Sequence, residues 1–362
     1  MKNQTEAAKI LWLTNLPAPY RLPIWRFIGK RGSLKVIFSM KEKNYRNWKI
    51  GSEIDFTFEF LSKSSLKIDD LDIIFGTKAP RSSIERADVV LVTGWDSIVY
   101  INTLLYSRRA RKPTILFYES TLASRRFNAF FIRKLRSWVF SLADHVVTAG
   151  NASTEAALEI GVPSTKILTL FNPVDVAWFA DFASENRVVN LVGHHFLYVG
   201  QLIERKNVKA LIDAFATICA PDDRLTIVGD GPLATELKSH TTELGLDGVI
   251  EFTGNKTQEQ VALEYARANT FILPSTNEVW GLVVNEALAC GLHVVVSRAT
   301  GVAEFVEPMQ GVFISDPEVN QIADSLKRSR AQWNGPIANP EIMAFTPEKF
   351  AEQIIVLADG TI

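Results

Sequence analysis

The chain has 362 residues, of which 47% are hydrophobic and 22% charged; these values are ordinary for a folded protein and predict two domains of usual size. Its two cysteines exclude a disulfide framework and a thiolate metal cluster. The net charge of −1 hides an asymmetry, because residues 1–180 hold 26 Lys and Arg against 16 Asp and Glu, whereas residues 181–362 hold 13 against 24. The basic first half predicts an anionic partner, such as a membrane surface or a phosphorylated acceptor, and we expect no nucleic acid.

The amino-terminal segment MKNQTEAAK is polar, and the apolar run ILWL behind it is shorter than a signal-peptide core or a membrane span. We therefore expect a cytoplasmic protein. Strands are predicted by short β-branched runs at 10–14, 34–39, 88–93, 114–119, 145–150, 196–200, 224–229, 249–254, 270–275 and 293–298. Helical patterns separate them, which is typical of parallel sheets that are covered on both faces. The chain is thus predicted to be an α/β protein of two Rossmann-like, doubly wound domains.

In the first half, three side chains follow predicted strands, where ligands of parallel sheets bind. Asp96 and Glu119 end the strands of VTGWDS and LFYES. Arg21 lies in TNLPAPYRLPIWR, the loop after the first strand. This loop is either part of an anion site or a proline-rigidified surface loop, and both alternatives stay open on the residues alone.

Residues 125–143, RRFNAFFIRKLRSWVFSLA, predict a basic amphipathic helix. Its apolar side chains recur at helical spacing with arginines and a lysine between them: Phe127, Phe131, Leu135, Trp138 and Leu142. Such a helix either packs its apolar stripe on the sheet and solvates its charges, or lies in a membrane interface. The first alternative is slightly favoured, and the basic charge of this half keeps the second open.

The domain boundary is predicted near residue 180. Residues 171–195 contain Pro, Asn and Asp breakers without a clear period. We therefore expect an N-terminal domain over 1–180, a C-terminal domain over 181–344 and a terminal helix over 345–362, with Thr346 as its N-cap and Gly360 as its end.

The second half begins with FLYVGQLIERKNVKALIDAFA, residues 196–216. It predicts a strand, a turn at Gly200, the basic pair Arg205 and Lys206, and a helix. A solvated basic pair is the less favoured interpretation, because cations at a helix start oppose the helix dipole. An anionic ligand is favoured instead.

The stretch VGDGPLA, residues 228–234, resembles a dinucleotide-binding fingerprint, with Glu251 in the next strand as the ribose-binding acid. Against this, the stretch belongs to the second strand-helix unit of its half, and Pro232 suits the first turn of a helix. Because of the resemblance, a nicotinamide-dependent oxidoreductase is kept as the alternative function, and these two observations make it the less favoured one.

The most informative stretch is LPSTNEVWGLVVNEALACGLHVVVS, residues 273–297. It predicts a strand, a loop with Glu278, and a helix that starts at Leu282. The N–H groups of Gly281, Leu282 and Val283 would point at an anion such as a diphosphate. Glu286, just over a turn inside the helix, can accept hydrogen bonds from a ribose diol, and Glu278 can reach the attached sugar. Without context, Glu286 is as well explained as a helix-surface residue.

These motifs resemble family 4 of the retaining glycosyltransferases, which have the GT-B fold of two Rossmann-like domains facing a cleft. Glu278 and Glu286 match the family's E-x7-E motif, within the frame PS...E.WGLVVNEALACGL.VVVS...G..E. The resemblance is specific over residues 196–304, and for the N-terminal half it covers only the general layout. The family has GDGP as a structural turn, and it often has arginine directly after the turn glycine, where this chain has Gln201.

The resemblance implies a role for each candidate residue. Glu278 would contact the donor sugar and Glu286 the nucleotide ribose, with Arg205 and Lys206 neutralising the leaving diphosphate. The loop with Gly254 and Asn255 looks like the one that holds the nucleobase. Arg21 would supply the phosphate contact that backbone amides supply elsewhere in the family, and Glu119 stands near the position where many relatives have a histidine.

The function implied is transfer of a hexose from a UDP- or GDP-sugar to an acceptor hydroxyl, with the N-terminal domain binding a glycan or lipid-linked acceptor and the terminal helix crossing back to that domain. The donor is a substrate, and neither a cofactor nor a metal is expected. The histidines show no paired ligand spacing, and D-L-D at 70–72 lies outside the expected cleft: His145, His194, His195, His240 and His293. Peripheral contact with the inner face of the membrane and a catalytically inactive protein of the same fold are further alternatives.

Overall fold

A computed structural model describes residues 8–39, 54, 56–61, 65–68, 71–74, 78–124, 129–188 and 192–360. The chain divides into two compact units, Met1–Asn172 with Pro347–Ile362, and Pro173–Thr346. The division lies at residue 172, whereas the sequence prediction placed it near 180. The reason is local: residues 173–175 lead directly into a helix of the second unit.

The first unit contains a parallel sheet and a small hairpin. Its described strands are β1 (Lys9–Thr14), β2 (Ser33–Phe38), β3 (Thr57–Phe60), β4 (Ser65–Ile68), β5 (Leu71–Ile74), β6 (Val89–Thr93), β7 (Thr114–Tyr118), β8 (His145–Ala149) and β9 (Ile167–Leu170). The sheet has the order β3-β2-β1-β6-β7-β8-β9 with parallel neighbours, and β4 pairs antiparallel with β5. The direction of winding reverses between β1 and β6, as in a doubly wound sheet.

Helices connect these strands and cover the sheet. They are α1 (Leu22–Arg31), α2 (Arg81–Arg86), α3 (Ile98–Arg109), α4 (Phe130–Ser141) and α5 (Gly150–Ile160). The strand side chains of β1, β6, β7 and β8 are almost all buried. Burial on both faces explains why these strands have near-continuous apolar sequences.

The second unit has the same construction. Its strands are β10 (His195–Val199), β11 (Arg224–Val228), β12 (Ile250–Gly254), β13 (Thr270–Leu273), β14 (His293–Ser297) and β15 (Val312–Ser315). Its helices are α6 (Val176–Asn186), α7 (Val208–Ile218), α8 (Ala234–Glu243), α9 (Gln258–Arg267), α10 (Leu282–Ala289), α11 (Ala303–Val306) and α12 (Val319–Gln332). The strand order β12-β11-β10-β13-β14-β15 is the Rossmann order, with its switch point between β10 and β13. The prediction of two Rossmann-like parallel sheets is confirmed.

The terminal helix α13 (Pro347–Ala358) packs within the first unit, against α1. The ring of Phe350 meets those of Phe117 and Phe171 edge to face, at centroid distances of 5.9 and 6.1 Å. On the surface, Arg31 of α1 and Glu352 form an ion pair at 3.2 Å. The carboxyl-terminal segment thus completes the core of the amino-terminal unit.

The faces of α4 differ from the favoured prediction. Three side chains that were expected to pack on the sheet are exposed: Phe131, Leu135 and Trp138. Leu142, the last residue of the predicted stripe, is buried as expected, and so are Arg136 and Val139. The reason is that the buried positions are one residue out of phase with the stripe read from the sequence. The first part of the predicted helix, residues 125–128 with Arg125, Arg126 and Phe127, lies outside the described residues.

Candidate functional site

A charged cluster lies at the switch point of the second sheet. Loops at the carboxyl ends of β10 and β13 form the ligand crevice of such folds. The first loop carries Arg205 and Lys206 in the short 3-10 turn Glu204–Lys206, and the second carries Glu278. Because β10 and β13 are neighbours in the sheet, side chains 72 positions apart in sequence meet here.

Glu278 joins both cations through one oxygen. Its Oε2 accepts a hydrogen bond from Nη1 of Arg205 at 2.8 Å and another from Nζ of Lys206. The side chains of Glu278 and Lys206 are only 15% and 10% exposed, whereas that of Arg205 is 44% exposed. The structure therefore brings three of the predicted site residues together, and the cluster keeps one excess positive charge.

The charges of the cluster shift the pKa values of its members. Burial raises the pKa of the Glu278 carboxyl, but Lys206 and Arg205 together lower it further, so the pKa lies below its ordinary value. Burial lowers the pKa of the Lys206 ammonium, and Glu278 restores it only in part. Glu278 is thus an anion at neutral pH and unsuited to donate a proton, while Lys206 would gain from a second anion.

Backbone contacts hold the two loops in register. The N–H of Thr276 donates to the carbonyl of Arg205 at 2.9 Å, and Nη1 of Arg205 donates to the carbonyl of Asn277 at 3.1 Å. Asn207 has a left-handed φ of 57° at the start of α7. Its Nδ2 donates to the carbonyls of Pro274 and Pro317, at 3.1 and 2.7 Å. Asn207 was not predicted as a site residue, although an asparagine after a basic pair at a helix start suits this conformation.

Gly281 precedes the helix α10 in a left-handed conformation, with φ of 100°. A Cβ at this position would lie 2.7 Å from Cδ2 of Leu273, so the turn requires glycine for its conformation and for its packing. The N–H groups of Leu282 and Val283 belong to the first helical turn, which has no intrahelical acceptors. Both residues are partly exposed. The helix start can therefore present N–H groups and a positive dipole to an anion, and its predicted contact with a diphosphate stays a prediction.

Glu286 lies one turn further into α10 and is half-buried. Its carboxylate accepts a hydrogen bond of 3.0 Å from the hydroxyl of Tyr265, a fully buried side chain of α9. Loss of surrounding water raises the pKa of Glu286 to about 7, and the Tyr265 hydrogen bond opposes this only in part. Glu286 therefore has a fixed orientation and an unusually basic carboxylate. No local pattern in the sequence pointed to Tyr265.

The glycines near Gly200 are explained by close packing. A Cβ at Gly229 would lie 1.9 Å from the carbonyl oxygen of Gly200, and one at Gly231 would lie 2.4 Å from that of Leu202. The loops after β10 and β11 thus touch through their backbones. Glu251 pairs with Thr226 in the middle of β11 and lies away from the carboxyl edge. Both observations remove support for the dinucleotide alternative.

Gly254 and Asn255 lie at the same edge of the sheet as the charged cluster. Gly254 is the last residue of β12, and its carbonyl accepts a hydrogen bond of 2.8 Å from the N–H of Gly229. A Cβ at Gly254 would meet no heavy atom within 4 Å, and Asn255 is exposed. The backbone of this loop is open to a ligand, and its predicted contact with the nucleobase stays a prediction.

The first unit contains a separate polar group at the carboxyl ends of its strands. Arg21, only 2% exposed, lies in a 3-10 turn after β1, and its Nη2 is 3.0 Å from Oε1 of Glu119. The Arg21 guanidinium also stacks 4.5 Å from the ring centroid of Phe117. Asn172 donates to the same Glu119 oxygen at 2.7 Å. The surface-loop alternative for Arg21 is therefore wrong, and Glu119 acts at least as its counter-ion.

Within the described ranges, no group of three or more His, Cys, Asp and Glu side chains could hold a metal ion. Asp70 of the D-L-D stretch lies outside those ranges. Across the same part of the chain, the helices are too short or too polar to cross a membrane. Cys290 is buried and Cys219 half-buried, and neither forms a disulfide.

Residues 186–332 match the sequence model of a family described as glycosyl transferases group 1. The phosphatidylinositol N-acetylglucosaminyltransferase gpi3 subunit of Schizosaccharomyces pombe is 25% identical over 250 residues, covering 68% of this chain and 54% of that protein. The GDP-mannose-dependent α-(1-6)-phosphatidylinositol dimannoside mannosyltransferase of Mycobacterium tuberculosis (strain ATCC 25177 / H37Ra) is 36% identical over 118 residues, covering 32% and 30%. The chain thus spans about half the length of the first relative and less of the second.

Among solved structures, HepE of Anabaena in complex with UDP has a TM-score of 0.68 with this chain. The alignment covers 98% of each chain at 19% sequence identity. At this identity the likeness shows the fold alone. It agrees with the two Rossmann-like sheets described above and confirms the expected GT-B architecture.

Proposed function

We propose that this chain transfers a sugar from a nucleotide-sugar donor to an acceptor hydroxyl, because its residues 186–332 match the sequence model of the glycosyl transferases group 1. One observation carries the proposal: Arg205 and Lys206 converge on Glu278 at the switch point of the second sheet. Two cations suit a diphosphate, and a buried, ionised carboxylate suits the hydroxyls of the attached sugar.

The donor we propose is a UDP- or GDP-sugar bound by the second unit. Its diphosphate lies between the start of α10, at Gly281, and the two cations. Glu286 accepts hydrogen bonds from the ribose diol, and the backbone of Gly254 contacts the base. Two similar proteins support this class of donor, since one was solved with UDP and the other is named as GDP-mannose-dependent.

In the reaction, the bond between the anomeric carbon and the diphosphate oxygen breaks, the acceptor oxygen takes its place, and the acceptor's hydroxyl proton passes to the leaving diphosphate. Negative charge develops on the leaving diphosphate. Arg205 and Lys206, fixed in advance by Glu278, stabilise that charge without reorganising. We place the chain in family 4, whose members retain the anomeric configuration, and we propose that the transfer proceeds without a metal ion.

The acceptor is proposed to bind the first unit, where Arg21 and Glu119 lie at the carboxyl ends of β1 and β7. This half of the chain is strongly basic, with 26 Lys and Arg against 16 Asp and Glu in residues 1–180. Both curated relatives are named for phosphatidylinositol substrates. These observations support a lipid-linked or cell-envelope glycan acceptor and a cytoplasmic protein at the inner face of the membrane.

A ligand panel and two variants test the proposal. Thermal shift with UDP, GDP, ADP and NAD should show stabilisation by UDP or GDP, and stabilisation by NAD alone would contradict a transferase. The sugar nucleotide that matches the stabilising nucleotide should be hydrolysed slowly, and Glu278→Ala or Lys206→Ala should abolish this turnover. Lys209→Ala is the control, since Lys209 is exposed and pairs only weakly with Glu236. Undiminished turnover in both site variants would place the site elsewhere, and tight donor binding without turnover in the wild type would favour an inactive binding protein.

A further inference from the structure

The outward face of α4 is unusually apolar, and we call it the α4 surface. Four large side chains are exposed there: Phe130 by 61%, Phe131 by 81%, Leu135 by 43% and Trp138 by 44%. Phe131, Leu135 and Trp138 follow the spacing of a helical stripe, so they lie side by side. Single exposed apolar residues are common, but a contiguous aromatic group on a surface helix marks an interaction site.

Basic side chains border this apolar group. Arg133, Lys134 and Arg136 line a cavity of about 250 Å³ between α4 and α5, together with the carboxylate of Glu159. The pairing of Arg133 with Glu159 is loose, at 4.0 Å. The Lys134 ammonium lies 4.6 Å from the ring centroid of Phe130. The exposed cations of Arg133 and Lys134 outnumber the one carboxylate, so the opening of the cavity is positive.

The buried side of α4 explains why the apolar stripe stays outside. Arg136 is only 4% exposed, and its guanidinium stacks 4.6 Å from the ring centroid of Trp95. Val139 and Phe140 fill the remaining contact with the sheet. Turning the stripe inward would expose these groups and break the stacking, so the exposure is built into the packing of the helix.

We propose that the α4 surface docks on an anionic lipid bilayer, with the aromatic side chains in the interface and a lipid phosphate in the cavity of Arg133 and Lys134. Aromatic and basic residues on one helix face are the composition that interfacial helices need. A second copy of the chain fits poorly, because two such faces would bring like charges together. This inference rests on the proposed function for its purpose, since a lipid-linked acceptor lies in such a bilayer, but docking itself needs no catalysis.

Vesicle flotation of the full chain tests the docking. The protein should float with vesicles of phosphatidylcholine mixed with phosphatidylglycerol and much less with phosphatidylcholine alone. The double variant Phe131→Ser/Trp138→Ser should lower partitioning about a hundredfold or more, from the apolar area lost. Arg133→Gln/Lys134→Gln should lower it about thirtyfold on the anionic vesicles, from the usual contribution of two basic residues.

Matched controls come from the second unit. Leu244→Ser removes an exposed apolar residue there, and Arg298→Gln/Lys327→Gln removes two exposed cations. Both should float like the wild type. Because all these positions are exposed, every variant should keep the wild-type melting temperature and the stabilisation by UDP or GDP. If neither UDP nor GDP stabilised the wild type, that result would count against the proposed function. Flotation reports on docking alone.

The depth to which the α4 surface enters the bilayer is measured by the quenching of tryptophan fluorescence with brominated lipids. The wild type should be quenched on anionic vesicles, and Trp138→Phe should still float but lose most of the quenching. Three results would overturn the proposal: no preference for anionic vesicles, equal flotation of the Phe131→Ser/Trp138→Ser variant, or a wild-type dimer in gel filtration that this variant abolishes. The last result would assign the α4 surface to a second copy of the chain.

Discussion

The carboxylate of Glu286 should make nucleotide binding depend on pH. Its pKa is raised to about 7 by loss of surrounding water, and only the ionised carboxylate offers two acceptor oxygens to both hydroxyls of a ribose diol. The ionised fraction falls as the pH drops through about 7. If only that form binds, the dissociation constant rises by a factor of 1 + 10^(pKa−pH), so affinity should weaken about tenfold from about pH 8 to about pH 6.

Isothermal titration calorimetry with UDP or GDP over this range measures the effect. The terminal phosphate of the nucleotide also takes up a proton near pH 6, so the wild type is compared with Glu286→Gln. The amide cannot titrate, and this variant should bind more weakly but show only the slope that belongs to the nucleotide. Glu259→Gln, an exposed position on α9, should keep the wild-type slope. Equal slopes for wild type and Glu286→Gln, or tighter wild-type binding at the lower pH, would refute the assignment of Glu286 to the ribose.

Two further predictions concern stability. Burial lowers the pKa of His194 to about 4, so its neutral ring stabilises the fold above about pH 6.5 and this contribution is lost as the pH falls towards 4. The free energy of unfolding is measured in urea at about pH 7.5 and about pH 5. Between these two values, the wild type should lose about 2 kcal/mol more of it than His194→Gln. His195→Gln is the control, and its free energy of unfolding should change with pH as in the wild type. Gly281→Ala should lower the free energy of unfolding by about 1–3 kcal/mol more than Gly245→Ala. Both glycines have a positive φ, but only at Gly281 would the added Cβ meet a neighbour, Cδ2 of Leu273 at 2.7 Å. Equal losses in the two variants would show that the contact with Leu273 relaxes freely.

Nine of the ten predicted strands lie inside the two sheets, and the exception is β12, a mostly unburied edge strand. All ten predicted runs are strands in the structure. The parallel strands that were missed, β3, β9 and β15, are edge strands of the two sheets, and most of their residues are partly exposed. Edge strands need less apolar sequence because solvent reaches one side. Their composition therefore resembled that of loops.

The sequence could predict those parts of the candidate site whose structure depends on residues that are neighbours in the chain. Gly281 and the helix start that follows could be recognised locally, because a left-handed glycine before a helix is a property of neighbouring residues. The contacts that orient the carboxylates could not. Tyr265 and Glu286 are 21 positions apart in sequence, and their meeting depends on how α9 and α10 both pack against α6. The α4 helix shows the same limit, since a shift of one residue in phase decided which face is buried.

The ion pair of Glu278 also bears on selectivity between donor and product. Lys206 and Arg205 hold the largely buried Glu278 carboxylate at the place where the sugar of the proposed donor would lie. A buried carboxylate gains from further hydrogen-bond donors, and the hydroxyls of a sugar provide them. A nucleoside diphosphate without its sugar leaves that need unmet. The site would thus favour the complete donor over the spent nucleotide without moving the ion pair.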